Sequence, residues 1–169
     1  MNFYFIKDQY FLDYPDINLM GNKEKVNGEE HGRPCFYALE DLSNGIYWVV
    51  PISSKVSKYK KIHEDKIKKF GECDTIVFGH VLGKERAFLL QNMCPITNDY
   101  IENVYINTST GKPVVITPKL HAVLSKKARK LLTLLRNGKK LIFPDVSNIE
   151  NALITRIKAE KEAAAIVID

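Results

Sequence analysis

Apolar and aromatic runs of strand length alternate with polar turns through the first two thirds of the chain. Residues 35–39 (Cys-Phe-Tyr-Ala-Leu) and 46–50 (Ile-Tyr-Trp-Val-Val) are two such runs, rich in the β-branched and aromatic residues that favour strands. The Asn44-Gly45 pair between them supplies the positive φ angles that a tight hairpin turn needs. The pattern predicts an antiparallel hairpin with Trp48 in the core.

The ends of this hairpin carry polar side chains. Pro34 and Pro51 stand where pairing is expected to end, because proline cannot donate to a strand ladder. In an antiparallel pair, the start of the first strand lies beside the end of the second. Arg33 is therefore expected to converge with Ser53 and Ser54.

The same reasoning covers the rest of the first two thirds. Further strands are predicted at Phe3–Ile6, 75–82, 87–91 and 100–106, with a short helix or turn at 9–14. The segment from about 15 to 31 is polar, charged and turn-rich, which predicts a mobile loop over one side of the hairpin. Residues 57–70 fit either a short basic helix or an irregular loop.

Helical patterns come last. Thr117-Pro118 offers an N-cap followed by proline at the first helical position, and Gly138 follows the periodic run, so a helix is predicted over about 118–137. Ser147-Asn148-Ile149-Glu150 is a capping-box pattern that predicts a second helix over about 147–162. Strands first and helices later indicate an α+β fold built on an antiparallel sheet.

Length and cysteine content narrow the class of protein. A chain of 169 residues is expected to form a single domain over 1–169 with a core that needs no disulfides. The three cysteines, Cys35, Cys73 and Cys94, are widely spaced, which predicts reduced thiols in a cytoplasmic protein. Because no signal peptide or membrane-spanning run is visible, we expect a cytoplasmic location without membrane contact.

The formal net charge of +5 is unevenly distributed. Positions 53–70 hold seven lysines and two acids, and positions 119–140 hold eight basic residues and no acid. Such clusters are typical of polyanion binders, although a lysine run also fits an ordinary solvated face. The predicted contacts for such a polyanion, RNA among the candidates, are His31, Lys58, Lys60, Lys61, His63, Lys66, Lys119, Lys126 and Lys130.

The predicted meeting of Arg33 with Ser53, Ser54 and Lys55 suits a phosphate. Cutting RNA without a metal requires that the 2′-hydroxyl loses a proton, that charge on the phosphate oxygens is stabilised and that the 5′-oxygen gains a proton. Arginine can fork across two phosphate oxygens, and lysine can stabilise charge or act as a base. No carboxylate or Cys/His cluster with ligand spacing is visible, so no metal and no cofactor is expected.

Taken in order, these features resemble a known family. Arg33-Pro34, two strands around a turn, and then Pro51-Ile52-Ser53-Ser54 resemble the pattern of the MazF, Kid and PemK ribonuclease toxins. Phe3-Tyr4, Tyr10, the lysine-rich segment after the serines and the C-terminal helices extend the likeness from residue 1 to about 145. Over this length the chain resembles the type III toxin-antitoxin endoribonucleases, the ToxN, AbiQ and CptN family, and its CptN branch most closely.

The resemblance implies a small, twisted antiparallel β-barrel with appended C-terminal helices. It implies a metal-independent, sequence-specific endoribonuclease toxin that acts in bacteriophage defence, and attack by the 2′-hydroxyl would leave a 2′,3′-cyclic phosphate. It also implies inhibition by a repetitive, pseudoknotted RNA antitoxin that the toxin cuts from a precursor. The catalytic residues expected from the matched motifs and from the phosphate chemistry are Ser53, Ser54, Lys55, Arg33 and Tyr10.

Several alternatives stay open at this point. Lys55 follows the serine pair at once and Lys58 comes three positions later, so either lysine could hold the catalytic position. The lysine clusters would equally suit a non-catalytic RNA-binding domain, or a MazF-like toxin neutralised by a protein antitoxin. For a toxin that cuts cellular RNA, two separate basic surfaces on one chain predict a closed protein-RNA oligomer in which each antitoxin touches two proteins.

Overall fold

The computed structural model describes residues 2–21, 23–26, 29–32, 36–40 and 45–166. The strands are β1 (Phe3–Ile6), β2 (Lys23–Val26), β3 (Glu29–Gly32), β4 (Phe36–Glu40), β5 (Tyr47–Ser53), β6 (Ile76–Val81), β7 (Lys84–Leu89), β8 (Cys94–Ile96), β9 (Ile101–Val104), β10 (Ile106–Asn107) and β11 (Lys112–Pro113). The helices are α1 (Asp8–Asp13), α2 (Val56–Phe70), α3 (Pro118–Arg136) and α4 (Val146–Ile166), with 3-10 turns at Leu90–Asn92 and Asn98–Tyr100.

A seven-stranded antiparallel sheet forms the centre of the fold. Its strand order is β6-β7-β5-β4-β1-β9, and β8 also pairs with β5. Strand β5 has β4 along one edge and both β8 and β7 along the other, where the 3-10 turn at Leu90–Asn92 separates the two. The predicted α+β class is confirmed. No ladder joins the outer strands β6 and β9 within the described residues, so the closed barrel stays a prediction.

The predicted central hairpin is confirmed as β4 and β5. Phe36 pairs with Pro51 and Glu40 with Tyr47, and Gly45 has the positive φ of 74° that the turn requires. The sequence predicted that pairing ends at Pro51, but strand β5 continues to Ser53. This happens because β7 pairs with Ile52 and Ser53 and extends the strand.

The segment predicted as a mobile loop contains two short strands. β2 and β3 pair with each other antiparallel, with Lys23 opposite Gly32 and Val26 opposite Glu29. The prediction of a mobile loop over 15–31 did not include these two strands. The missed signal is Asn27-Gly28, because an Asn-Gly pair between two short runs favours a hairpin even when the runs are charged.

The second hairpin and the strand near residue 100 are also confirmed. Between β6 and β7, Leu82 and Gly83 have positive φ angles of 50° and 74°, which suit a two-residue turn. Strand β9 covers only Ile101–Val104 of the predicted 100–106, and it pairs with β1.

Helix α3 packs on one face of the sheet. Its N-cap is Thr117, as predicted, whose Oγ1 accepts the N–H of Leu120 at 3.3 Å. The helix buries three apolar side chains of the predicted stripe, Leu124, Ala128 and Leu131. Gly79 of β6 lets the helix approach, because a Cβ there would collide with the side chain of Leu120.

Helix α4 begins at Val146 and reaches Ile166, past the predicted end at 162. The residue that caps it is Asp145 rather than Ser147. The Asp145 carboxylate accepts two bonds from Asn148, one from the backbone N–H at 3.4 Å and one from the side-chain amide at 2.7 Å. The predicted capping box was therefore wrong by two positions. A carboxylate and a hydroxyl are both good N-caps, so the sequence alone did not decide between them.

Helix α2 covers the other face of the β6–β7 hairpin, and the helical alternative for 57–70 is the correct one. It ends at Gly71, which has a φ of 78°. Tyr59 and Ile62 of α2 pack against a small cluster of Cys73, Ile76, Ala87 and Leu89.

The main core lies between the central sheet, α3 and α4. Trp48 is 3% exposed and belongs to this core, as predicted. Cys73 and Cys94 are buried free thiols, and Cys35 lies outside the described residues. None of the helices in the described ranges is long and apolar enough to cross a membrane.

Candidate active site

The serine pair lies at the junction between β5 and α2. Ser53 is the last residue of β5 and is 9% exposed, whereas Ser54 and Lys55 are exposed. The Ser53 hydroxyl accepts the N–H of Lys55 at 3.2 Å, and the Ser54 carbonyl accepts the N–H of Val56 at 2.8 Å. These local bonds fix the turn, so two hydroxyls and a lysine occupy a small, ordered surface.

The start of α2 adds a favourable field for anions. The N-terminus of a helix carries a partial positive charge, and no acidic residue of the first turn compensates it here. Lys55 is the N-cap residue and Lys58 lies in the first turn. Both lysines that the sequence left as alternatives are therefore near the serines, with Lys55 adjacent to them.

Arg33 lies outside the described residues, so its predicted convergence with Ser53 stays a prediction. The register around it agrees with that prediction, because Phe36 at the start of β4 pairs with Pro51 near the end of β5. His31 belongs to β3, where it is opposite Glu24. Its predicted role as an RNA contact stays a prediction.

Tyr10 is placed in the core rather than at the surface. Its side chain is fully buried, its hydroxyl donates to the Pro95 carbonyl at 2.8 Å, and its ring lies 5.3 Å from those of Tyr14 and Tyr100. Burial raises its pKa well above the usual value. A ring without exposed surface cannot touch a substrate, so the prediction that Tyr10 is a catalytic residue is corrected to a structural role.

The lysines of α2 fall into two groups. Lys58 and Lys61 are exposed, and the Lys58 Nζ lies 5.6 Å from the centroid of the Tyr59 ring. Lys60 pairs with Glu85 at 2.7 Å. Lys66 is half-buried and donates to the Thr75 hydroxyl and to the Gln91 side-chain carbonyl at 2.7 and 2.8 Å, and desolvation lowers its pKa.

His63 and Lys66 therefore have structural contacts that the sequence did not predict. The His63 ring packs edge-on against Phe78, with 5.4 Å between centroids, and burial lowers its pKa. A neutral imidazole on an aromatic ring is a weaker phosphate ligand than a surface lysine. Lys58 and Lys61 are the better placed of the predicted RNA contacts on this helix.

On α3 the predicted RNA contacts have different surroundings. Lys119 and Lys126 are exposed. Lys130 instead binds the carboxylates of Glu72 and Asp74, the former at 2.9 Å. These acids lower the attraction of Lys130 for a phosphate, and its predicted RNA contact stays a prediction.

A second polar cluster on α3 joins the helix to the sheet. His121 Nδ1 lies 2.9 Å from the Tyr37 hydroxyl, and Nε2 lies 3.3 Å from the Ser125 hydroxyl. Burial raises the pKa of Tyr37 to about 12. These contacts give His121 a structural role at the junction of α3 and the sheet.

Sequence reasoning missed a cleft beside α2. Its lining includes Lys58 and Tyr59 of α2, the Ile17–Met20 segment, the Gln91-Asn92 pair and Phe143, and its volume is about 410 Å³. The available signal was the polar Gln91-Asn92 pair directly after the apolar residues Ala87–Leu90. In the described parts of the chain, no group of three or more His, Cys, Asp or Glu side chains could hold a metal ion.

Comparison with known proteins gives one informative match. No protein-family model matches the sequence, and no curated protein matches it significantly. Among solved structures, the fold is similar to that of AbiQ, a lactococcal anti-phage endoribonuclease belonging to the type III toxin-antitoxin system. The two superpose with a TM-score of 0.63 at 12% sequence identity, over 93% of this chain and 98% of AbiQ.

This match agrees with the resemblance found in the sequence. A likeness at 12% identity establishes a shared fold, and it extends over nearly the full length of both chains. The structural neighbour is a type III toxin-antitoxin endoribonuclease.

Proposed function

We propose that the protein is the toxin of a type III toxin-antitoxin system and an endoribonuclease. The observation that carries the proposal is the Ser53-Ser54-Lys55 turn at the start of a basic helix, in a fold shared with AbiQ over 93% of the chain. The fold match alone would support a nuclease ancestry without a site. The local chemistry of this turn supplies the site.

The proposed reaction is attack of the RNA 2′-hydroxyl on the adjacent phosphorus. The 2′-hydroxyl gives up its proton as the new O–P bond forms, and the bond to the 5′-oxygen breaks as that oxygen takes up a proton, which leaves a 2′,3′-cyclic phosphate and a free 5′-hydroxyl. The Ser53 or Ser54 hydroxyl would donate to a phosphate oxygen, and Lys55 would stabilise the developing negative charge. Arg33 would bind two phosphate oxygens if it converges with the serines as the sequence predicts.

Metal independence is proposed from the donors themselves. Hydroxyl, ammonium and guanidinium groups can stabilise a phosphorane without a Lewis acid. Either Lys55 or Lys58, both at the start of α2, would accept the proton of the 2′-hydroxyl.

The proposed inhibitor is a folded, repeat-derived RNA that the protein itself processes. Its phosphates would contact the exposed lysines of α2 and α3, which lie on different helices: Lys55, Lys58, Lys61, Lys119 and Lys126. Because one chain offers two basic surfaces, each RNA could bridge two proteins and close an oligomer.

Incubation of purified protein with a mixed-sequence RNA in EDTA tests the proposal. We expect cleavage to continue, with 2′,3′-cyclic phosphate on the upstream product. Activity that disappears in EDTA and returns only with a divalent ion would overturn the mechanism. Binding without any cleavage would favour the alternative, a non-catalytic RNA-binding domain, and tight inhibition by a co-expressed protein would favour a protein antitoxin.

A further inference from the structure

The cleft beside α2 is built differently from an ordinary surface groove. On one side stand Lys58 and Tyr59 of α2, and on the other are Gln91, Asn92 and the 46% exposed ring of Phe143. Its volume of about 410 Å³ falls in the range of small-molecule sites, about 300–1,000 Å³. Its lining combines aromatic surface, buried amides and lysine.

The orientation of both amides is fixed by their neighbours. Lys66 has only donors, so the atom of Gln91 that it contacts at 2.8 Å is the carbonyl oxygen, and Nε2 is left over. The Asn18 backbone carbonyl has only acceptors, so the Asn92 atom that contacts it at 3.2 Å is Nδ2, and Oδ1 is left over. Among the described residues, neither left-over atom has a partner. The cleft wall thus offers one donor and one acceptor from side chains that are 5% and 9% exposed.

The rim of the cleft provides aromatic and cationic surface. The Lys66 Nζ lies 5.9 Å from the centroid of the Phe143 ring, and the Lys58 Nζ lies 5.6 Å from that of Tyr59. Of these two rings, that of Phe143 is exposed and that of Tyr59 is partly buried. Aromatic rings beside lysines are the usual elements of a single-strand binding surface, where bases stack and phosphates meet positive charge.

The wall formed by the Ile17–Met20 segment is held in place. The carboxylate of Asp16 accepts the N–H of Asn18 and the N–H of Asp145, both at 2.7 Å. This links the segment to the start of α4. The cleft is therefore preformed, and a ligand would not have to order its wall.

We propose that this cleft binds one unstacked nucleobase of a single-stranded RNA. Every nucleobase has a flat face and an edge that pairs a donor with an acceptor, which matches the aromatic rim and the Gln91 and Asn92 atoms. An apolar partner would leave those two polar atoms buried without bonds, which is unfavourable. The inference rests on the proposed function, because it makes the cleft a subsite of the proposed cleavage site.

The position of the cleft fits that relation. Lys58 lies on the same helix as Lys55 and one turn further along, about 5 Å along the helix axis. An RNA strand whose phosphate lies at Ser53–Lys55 would therefore pass the cleft with a neighbouring nucleotide. The cleft would then hold the strand in register for cleavage.

Binding of a strand that cannot be cut tests the inference. The probe is a short fluorescein-labelled 2′-O-methyl RNA of mixed sequence, compared with a series in which one position at a time is abasic. For the wild-type protein we expect one abasic position to weaken binding by about 10-fold, the scale of a single stacked base. Phe143→Ala should weaken binding of the intact strand by a similar factor. The affinity of this variant should be the same for the intact strand and for the strand with that abasic position.

Two further variants make the result specific. Phe70→Ala removes an aromatic ring at the end of α2 that does not line the cleft. This ring is 65% exposed, and the Lys69 Nζ lies 5.2 Å from its centroid. The Phe70→Ala variant should bind the probe as the wild type does. Phe143→Tyr keeps the ring and should also behave as wild type. An abasic penalty of equal size in wild type and Phe143→Ala would overturn the proposal, as would wild-type protein that does not bind the probe.

Cleavage of unmodified RNA, measured in parallel, separates this inference from the proposed function. If binding depends on a base and on Phe143 but no RNA is cleaved, the cleft remains a base-binding site and the proposed nuclease function is overturned. If the protein cleaves RNA but binds every abasic strand as tightly as the intact strand, the base-binding proposal is overturned and the proposed nuclease function is retained.

Discussion

Helices α2 and α3 are similar in sequence character and different in what they expose. Both are basic and amphipathic, and each lies against the β6–β7 hairpin. Helix α3 buries Leu124, Ala128 and Leu131 in the main core, whereas α2 has no fully buried residue. Helix α3 is therefore part of the scaffold, and α2 lies on its surface through partly buried Tyr59 and Ile62.

Each helix carries lysines that packing pairs with other groups and lysines that stay exposed, such as Lys60 and Lys66 against Lys58 and Lys61 on α2. On α3, Lys127 donates to the Cys73 carbonyl at 2.6 Å and pairs with Asp74, and Lys130 pairs with Glu72 and Asp74. On α2, Lys58 and Lys61 stay exposed. The comparison teaches that a run of lysines in the sequence gives the charge of a surface, while packing decides which of those charges an RNA can reach.

The largest expected effect concerns the burial of the two helices. Leu131→Ala should lower the free energy of unfolding by about 2–5 kcal/mol, because it leaves a cavity in the main core. Ile67→Ala on α2 should cost much less, since Ile67 is 42% exposed. Urea unfolding of both variants measures the difference. Equal losses would mean that α2 is as integral to the core as α3.

The second effect compares the hydroxyls that precede the two helices. Ser53→Ala should lower the cleavage rate by at least about 10²-fold, the scale for loss of one charge-stabilising donor, and should lower stability by no more than about 1 kcal/mol, the scale of the one hydrogen bond to the Lys55 N–H. Thr117→Ala should leave the rate unchanged and lower stability by about 1 kcal/mol, because Thr117 caps α3.

Single-turnover cleavage and thermal unfolding of both variants decide this prediction. The reverse pattern, with activity lost in Thr117→Ala and kept in Ser53→Ala, would move the reaction away from the start of α2.

The third effect concerns the lysines of α3. Lys126→Ala should reduce the slope of log affinity against log salt for the antitoxin RNA by about 0.7, the value for one phosphate contact on a single strand. Lys130→Ala should change that slope less, because Glu72 and Asp74 already neutralise Lys130. Titrations across a salt series check both. Equal changes in slope would show that the RNA displaces the acids from Lys130.

The smallest effect is a pH dependence of stability at Asp74. Burial raises the pKa of this carboxyl, but bonds to Lys130 and Lys127 outweigh it, and the net pKa lies below the usual 3.8. A lowered pKa in the folded state adds stability above the unfolded value, and that gain is lost as pH falls through the folded pKa. Asp74→Asn should therefore be less stable than wild type at neutral pH, and the gap should narrow below about pH 3.8.

Asp65→Asn provides the matched control for that comparison. Asp65 is an exposed carboxyl on α2, and its amide variant should unfold like wild type at both pH values. A gap between wild type and Asp74→Asn that stays constant from neutral pH to pH 3 would contradict the assigned role of the lysines.

The sequence determined the order and type of most elements because their signals are local. Asn44-Gly45 predicted the β4–β5 turn, and Thr117-Pro118 predicted the start of α3. The position of Ser53-Ser54-Lys55 at the end of the second hairpin strand was also predicted from sequence, and the structure places this turn directly after β5. The errors at β2–β3 and at the cap of α4 came from choosing between local signals of similar strength.

Only the tertiary structure decided which of these residues are accessible. Tyr10 follows the first strand and was predicted to be catalytic, yet it is fully buried against Tyr14 and Tyr100. Lys130 lies 58 positions from Glu72 and pairs with it, and the cleft brings together segments near residues 18, 59, 91 and 143. Burial and charge pairing depend on contacts between distant parts of the chain, and no local pattern in the sequence contains them.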